Sequence, residues 1–281
     1  MKERIDYRAR KWIIQQFTSQ RESDQFTRLQ TVDWDILVIL DACRADVLRQ
    51  AADWPVNTAV SPASCTPQWL QLIESNGIFE GAHIISGNPQ YEKVDININN
   101  STVEPFWRTY WNNTMQTTLP EPILNGVDDA VQDSSNRVVA HLQQPHWPYV
   151  AKLEHEWMLA YNKLGPWHLD GKEVSSVQVA MQRGIIDSKS ARRAYESSVR
   201  SIWKSLIEYL VRWIKNGYTV VITADHGETF GRIQDLGFYE HPCRCHLSPL
   251  VQVPWIELAP TEETRQIDSV EDRLRALGYA E

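Results

Sequence analysis

Two acids and an imidazole stand where apolar runs stop, far apart in the chain. Asp41 closes Ile36–Leu37–Val38–Ile39–Leu40, and Asp225–His226 follow Tyr218–Thr219–Val220–Val221–Ile222–Thr223–Ala224 directly. Carboxylate oxygen and imidazole nitrogen suit a divalent cation, and Gly227 frees the backbone beside them. Pro67 fits the first turn of a helix, which puts Ser64, Cys65 or Thr66 at or near an N-cap. His146 lies between Pro145 and Pro148, which hold it in an extended, exposed position. His241–Pro242–Cys243–Arg244–Cys245–His246 adds two imidazoles around a Cys-x-Cys pair, a pattern that soft metals or redox chemistry could use.

The elements that must carry these residues are legible in the same runs. Five apolar residues before Asp41, three of them β-branched, leave no polar face. That is a strand buried on both sides of a parallel sheet, and the run before Asp225 reads the same way. In open α/β sheets, ligands gather beyond the carboxyl ends of the strands, where both acids would stand. Further strands are predicted at 58–60, 83–87 and 138–142, with an outer strand at 253–258. Helices are predicted over 44–52, from Pro67 to Gly77, over 127–136 and from about 190 to 215. On the last of these, Tyr195, Val199, Ile202, Leu206, Leu210 and Ile214 share one stripe. Residues 88–125 read as long loops and 151–188 as an insertion. Residues 1–30 form an amphipathic helical extension to a single α/β domain over 31–281, whose last helix starts at Ser269 and Asp272.

Composition narrows the partners. The chain has 281 residues and a formal net charge of −8, which argues against nucleic acid or an anionic membrane as the main partner. A small anionic substrate stays open, because a metal makes a pocket locally positive. No apolar run reaches bilayer length, and the charged start is unlike a secretory signal, so the expected compartment is the cytoplasm. Four cysteines are too few for a disulfide scaffold in a chain this long. The 12 tryptophans are scattered and read as packing anchors.

Taken in order, Asp41–Ala42–Cys43–Arg44–Ala45–Asp46, Ser61–Pro62–Ala63–Ser64–Cys65–Thr66–Pro67, Pro145–His146–Trp147–Pro148–Tyr149, Asp225–His226–Gly227–Glu228 and His241–Pro242 resemble sulfatase-like members of the alkaline phosphatase superfamily. The resemblance covers about residues 33–258. It implies a mostly parallel sheet sandwiched between helices, and a metal-dependent hydrolase or transferase acting on a phosphate or sulfate ester. It also implies that Asp41, Thr66, Asp225 and His226 share one divalent ion, Mn²⁺ or Zn²⁺ before Ca²⁺ or Mg²⁺. The attacking group would be Thr66, with Cys65 as the alternative. Trp69 stands where a sulfatase Cys-x-Pro-x-Arg motif has its arginine, which favours Thr66. His241 and His146 match the substrate-side histidines, and Ala42 takes the place of a second acid. Arg44 could meet an anionic substrate or pair with Asp46. The rival reading is a catalytically degenerate relative that keeps the fold as a binding or scaffold protein.

Overall fold

The computed structural model describes residues 9, 11–15, 22–52, 55–133, 137–160, 168–169, 172–173 and 176–261. Its centre is a seven-stranded sheet made of β1 (Ile36–Asp41), β2 (Asn57–Val60), β3 (His83–Ser86), β4 (Thr102–Pro105), β5 (Val138–Pro145), β6 (Val220–Thr223) and β7 (Gln252–Leu258). The spatial order is β2-β7-β6-β1-β5-β3-β4. Neighbours from β6 to β4 run parallel, and β7 alone runs against both its neighbours. The apolar runs found in the sequence are the central strands: every residue of β1, β5 and β6 is buried. β7, expected at the rim, lies one place in, because the shorter β2 covers its edge.

Helices α1 (Gln25–Thr31), α2 (Ala45–Ala51), α3 (Thr66–Ser75), α4 (Pro120–Asp133) and α5 (Ser188–Lys215) flank the sheet. The Asp187 side chain caps α5 by accepting from Ser190 N. The predicted stripe of α5, from Tyr195 to Ile214, is buried throughout. α4 begins seven residues before its predicted start, at Pro120, a favourable first position. The predicted loops of 88–125 contain β4, short helices at Gln90–Val94 and Phe106–Thr109, and a hairpin of Trp111–Asn112 with Thr117–Thr118. The insertion opens with a second hairpin, Val150–Leu153 with Glu156–Leu159. The expected helix at Ser269 lies outside the described residues, as does half of the amphipathic extension. No described helix is long and apolar enough to cross a membrane.

Two ties hold the carboxyl edge of the sheet. Tyr195 Oη donates to Ala42 O at 2.8 Å and accepts from Arg44 N at 2.9 Å, so α5 grips the turn after β1. A disulfide joins Cys65, just before α3, to Cys243 in the loop after β6, across 178 residues of sequence. Parallel hydrogen bonds run Ser64 Oγ to Pro242 O at 2.8 Å and Cys245 N to Ser64 Oγ at 2.9 Å. Counting cysteines misses this bond, since one local tie needs no scaffold. Disulfides are uncommon in reducing compartments, so this one gives the cytoplasmic expectation no support.

Both ties are measurable. Tyr195→Phe removes two buried hydrogen bonds and is expected to destabilise the fold by about 1–3 kcal/mol in denaturant titration. In denaturant without reductant, a thiol titration is expected to find Cys43 and Cys245 alone, and all four cysteines after reduction. Four reactive thiols in the unreduced protein would remove the Cys65–Cys243 tie.

Candidate active site

Register places the two acids side by side. Ile39 pairs with Thr223, and Asp41 and Asp225 each stand two residues further on. Ala42 then turns the chain with φ 60°, a left-handed conformation that is costly for alanine, and its N–H donates to Asp225 Oδ1 at 3.1 Å. His226 N donates to the same oxygen at 2.8 Å. Gly227 is required next, because a Cβ there would lie 2.1 Å from the Pro249 carbonyl oxygen. Its N–H donates to Leu250 O at 2.7 Å. The strand end is thereby fixed from both sides.

Thr66 opens α3 and aims its hydroxyl into this corner. Oγ1 donates to Asp225 Oδ2 at 2.6 Å and lies 3.2 Å from His226 Nε2. That nitrogen is 3.4 Å from Asp225 Oδ2 and 3.6 Å from Asp41 Oδ1. His226 Nδ1 donates to Gly227 O at 2.7 Å, which leaves Nε2 with its lone pair turned to the acids. Burial, then the neighbouring His241 and His146, push the His226 pKa well below normal, so the ring is neutral. Asp41 Oδ2 accepts from Asn88 Nδ2 at 2.7 Å, whereas its buried Oδ1 accepts no hydrogen bond. Burial, then Asp225 and Glu228, raise the Asp41 pKa well above its ordinary value.

This geometry fits a metal. Asp41, Asp225 and His226 offer ligand atoms within 4.8 Å of one another, and no other group of three or more His, Cys, Asp or Glu does so among the described residues. A bare buried carboxylate oxygen facing a neutral imidazole lone pair is expensive without a cation. A bound cation would satisfy Oδ1 and return Asp41 to its charged form. The four residues expected to share one ion are thus in one place.

The histidines occupy the adjoining wall. His241 stacks on His226 with ring centroids 4.5 Å apart, and His146 meets His241 edge-on at 5.1 Å. His241 Nδ1 lies 3.2 Å from both oxygens of Glu228. Burial alone would lower the His241 pKa, but the Glu228 carboxylate outweighs it and raises the value. Glu228 in turn accepts from Gln178 Nε2 at 2.9 Å. His146 Nδ1 donates to Trp147 O, and burial with His241 beside it depresses its pKa to about 4. The two neighbouring rings are therefore shifted in opposite directions, His241 toward its charged form and His146 toward its neutral one.

One expectation is corrected, and one open alternative is resolved. The sulfur of Cys65 is bonded to Cys243, so it is no free thiol for attack or oxidation, and Cys243 is likewise removed from a soft-metal site. Arg44 is buried and held by Asp46 through Nε and Nη2, at 2.8 and 2.9 Å, and by the Glu228 carbonyl at 3.0 Å. This is the Asp46 pairing that the sequence left open, and it braces the loop. Reading the sequence alone overlooks Asn88, the role of Glu228, and Gln25. The Gln25 amide donates to Thr223 Oγ1 and Ala224 O and accepts from Trp69 Nε1, tying α1 and α3 to the strand end. Motif spacing gives no sign of Asn88 or Gln25, although Glu228 lay inside the Asp-His-Gly-Glu motif.

The site opens into a cavity of about 500 Å³. Another of about 520 Å³ lies along α5 beside Lys152, Arg200 and Lys204, without any of the candidate site residues.

No protein-family model and no curated protein sequence matches the chain. Solved structures do. The chain aligns over 86% of its length with 78% of the soluble domain of lipooligosaccharide phosphoethanolamine transferase A from Neisseria meningitidis, at 14% identity and a TM-score of 0.53. The integral membrane form of that transferase matches over 88% of this chain at 13% identity and a TM-score of 0.52, but the chain spans only 51% of it. The periplasmic domain of phosphoethanolamine transferase EptC from Campylobacter jejuni aligns over 81% of this chain and 79% of its own, at 15% identity and a TM-score of 0.51. These likenesses, on a mostly parallel seven-stranded sheet, show that the chain shares the fold of these phosphoethanolamine transferase domains.

Proposed function

We propose that this chain is a metal-dependent hydrolase or transferase of phosphate esters, with the Thr66 hydroxyl as nucleophile. The observation that carries the reading is the position of Thr66 Oγ1, in contact with Asp225 Oδ2 and His226 Nε2, beside an Asp41 oxygen that has no hydrogen-bond partner. Phosphate is favoured over sulfate because Cys65 is locked in a disulfide and cannot supply a sulfatase's oxidised cysteine. A divalent cation held by Asp41, Thr66, Asp225 and His226 would make the hydroxyl far more acidic and offset charge on the attacked phosphate. Mn²⁺ and Zn²⁺ suit the mixed oxygen and nitrogen donors.

The side chains divide the proton traffic. Asp225 Oδ2 is placed to take the Thr66 proton as Oγ1 attacks phosphorus. The free N–H groups at the start of α3 favour the negative phosphate alongside. His241, charged through Glu228, keeps its Nε2–H for the oxygen of the departing alcohol. Breaking that P–O bond leaves a phosphothreonine at Thr66. Water or an acceptor hydroxyl then displaces Thr66 from phosphorus; His241, neutral after the first step, takes the incoming proton, and the proton held by Asp225 returns to Thr66 Oγ1. Which acceptor is used separates hydrolase from transferase.

With bis(4-nitrophenyl) phosphate and 4-nitrophenyl phosphate, Thr66→Ala is expected to lower kcat by at least about a hundredfold, the scale of losing a central catalytic group. Thr66→Ser should keep part of the rate. Full activity in Thr66→Ala would overturn the assignment, and a wild-type protein that binds metal but never turns over would be a scaffold. Metal analysis is expected to find one divalent ion per chain, removed by chelation together with activity and restored by Mn²⁺ or Zn²⁺. Asp225→Asn should lose the ion, and equal metal content in that variant would exclude this centre.

A further inference from the structure

The cavity in front of Thr66 has a chemical bias that reaches beyond the reacting phosphate. Apart from the metal-binding Asp41, no carboxylate lines it among the described residues. Hydrogen-bond donors do. Lys93 forms no ion pair with any described group, and Gln90 and Trp111 have no side-chain hydrogen-bond partner there. Gln143 is 8% exposed and its Oε1 accepts from Thr118 N at 3.3 Å, which turns its amide nitrogen away from that partner. No described group accepts from that nitrogen, so a donor on the cavity wall is left for a ligand. At the rim, Lys11 is neutralised by Glu240 at 3.2 Å, leaving Lys93 as the uncompensated charge. A protein of net charge −8 thus presents a donor-rich, positive wall next to its nucleophile.

Such a wall discriminates between headgroups. Ligand hydroxyls and anionic oxygens can each take a donor here, whereas an ammonium group would face Lys93 with no carboxylate to answer it. Resting on the phosphate-ester reading above, the geometry points to a polyhydroxy phosphate of the glycerol or sugar type as the substrate's transferred or recognised group, with Lys93 and Gln143 as its specificity determinants. An aminoalkyl phosphate, the group named for the transferases that share the fold, is selected against.

Glycerol 3-phosphate and O-phosphoethanolamine make a matched pair, similar in size and both phosphate monoesters. Calorimetry on the zinc-loaded protein compares their binding without requiring turnover, so its outcome is independent of whether Thr66 is the nucleophile. Glycerol 3-phosphate is expected to bind at least about tenfold more tightly. Lys93→Glu, an exposed change whose folding is checked by circular dichroism, should cut that ratio to threefold or less. Gln143→Leu should weaken glycerol 3-phosphate alone. Equal affinities, tighter phosphoethanolamine binding through the faces of Trp111 and Trp147, no binding of either probe, or a ratio unchanged in Lys93→Glu would each overturn the inference. Loss of turnover in the wild type with the binding preference intact would instead fault the catalytic reading alone.

Discussion

Everything at the carboxyl edge of the sheet depends on keeping two aspartates together in a place where water does not reach. Asp41 is 4% exposed and Asp225 and His226 are fully buried. Like charges this close repel strongly in a medium of low polarity, by several kcal/mol even at the effective dielectric constants that suit proteins. The chain answers that repulsion only in part. Two backbone N–H groups and the Thr66 hydroxyl serve Asp225, and Asn88 serves one oxygen of Asp41. The other Asp41 oxygen is left bare. A cation would complete the set, and it would account for a threonine hydroxyl pointed at an acid and an imidazole instead of being turned into the core.

Holding that arrangement requires the surrounding structure to resist relaxation, and several unrelated segments share the work. Tyr195 from α5 clamps both sides of the turn that contains Ala42 in its left-handed conformation. Gln25 from α1 spends its amide on the backbone just before Asp225 and on Trp69 of the helix that carries Thr66. The Cys65–Cys243 bond joins the start of that helix to the loop that carries His241. Thr66, the Asp41–Asp225–His226 group and His241 are therefore fixed to one another through a covalent bond and buried hydrogen bonds. A catalytic group displaced by 1 Å loses much of its effect, so this bracing has a chemical consequence as well as a mechanical one.

Sequence reading brought Asp41 and Asp225 to one edge of the sheet because strand ends are written in the chain. Asp41 and Asp225 each follow a run with no polar face, and such a run has nowhere to go but the middle of a parallel sheet. Pro67 marked the start of α3 for an equally local reason. What escaped was settled by tertiary contacts. Asn88 reads as an ordinary loop residue until β3 delivers it to Asp41, and Gln25 looks like one polar residue of a surface helix. The Cys65–Cys243 pair is separated by 178 positions, and no local pattern announces it. Strand order also lay beyond local reading: the run at 253–258 reads as an outer strand, yet β2 adds itself outside it. The Trp69 that departs from the sulfatase motif gains a sense only in three dimensions, where its indole donates to Gln25 and its ring packs edge-on against Phe26 and Phe79.

Charge at the site is sorted as well as concentrated. Three histidines lie in a row, and their environments split them into unlike states. His226 is driven neutral, as a metal ligand must be, and His146 is depressed to about 4. Between them His241 is raised, because Glu228 lies against it and is itself kept charged by that contact despite its burial. Three equivalent imidazoles could not provide a neutral metal ligand and a proton donor at one pH, whereas a single buried glutamate placed against the middle one would separate those two roles. That places Glu228 beside the aspartates in importance: without it, the acid of the proposed mechanism would become one more neutral ring facing the substrate.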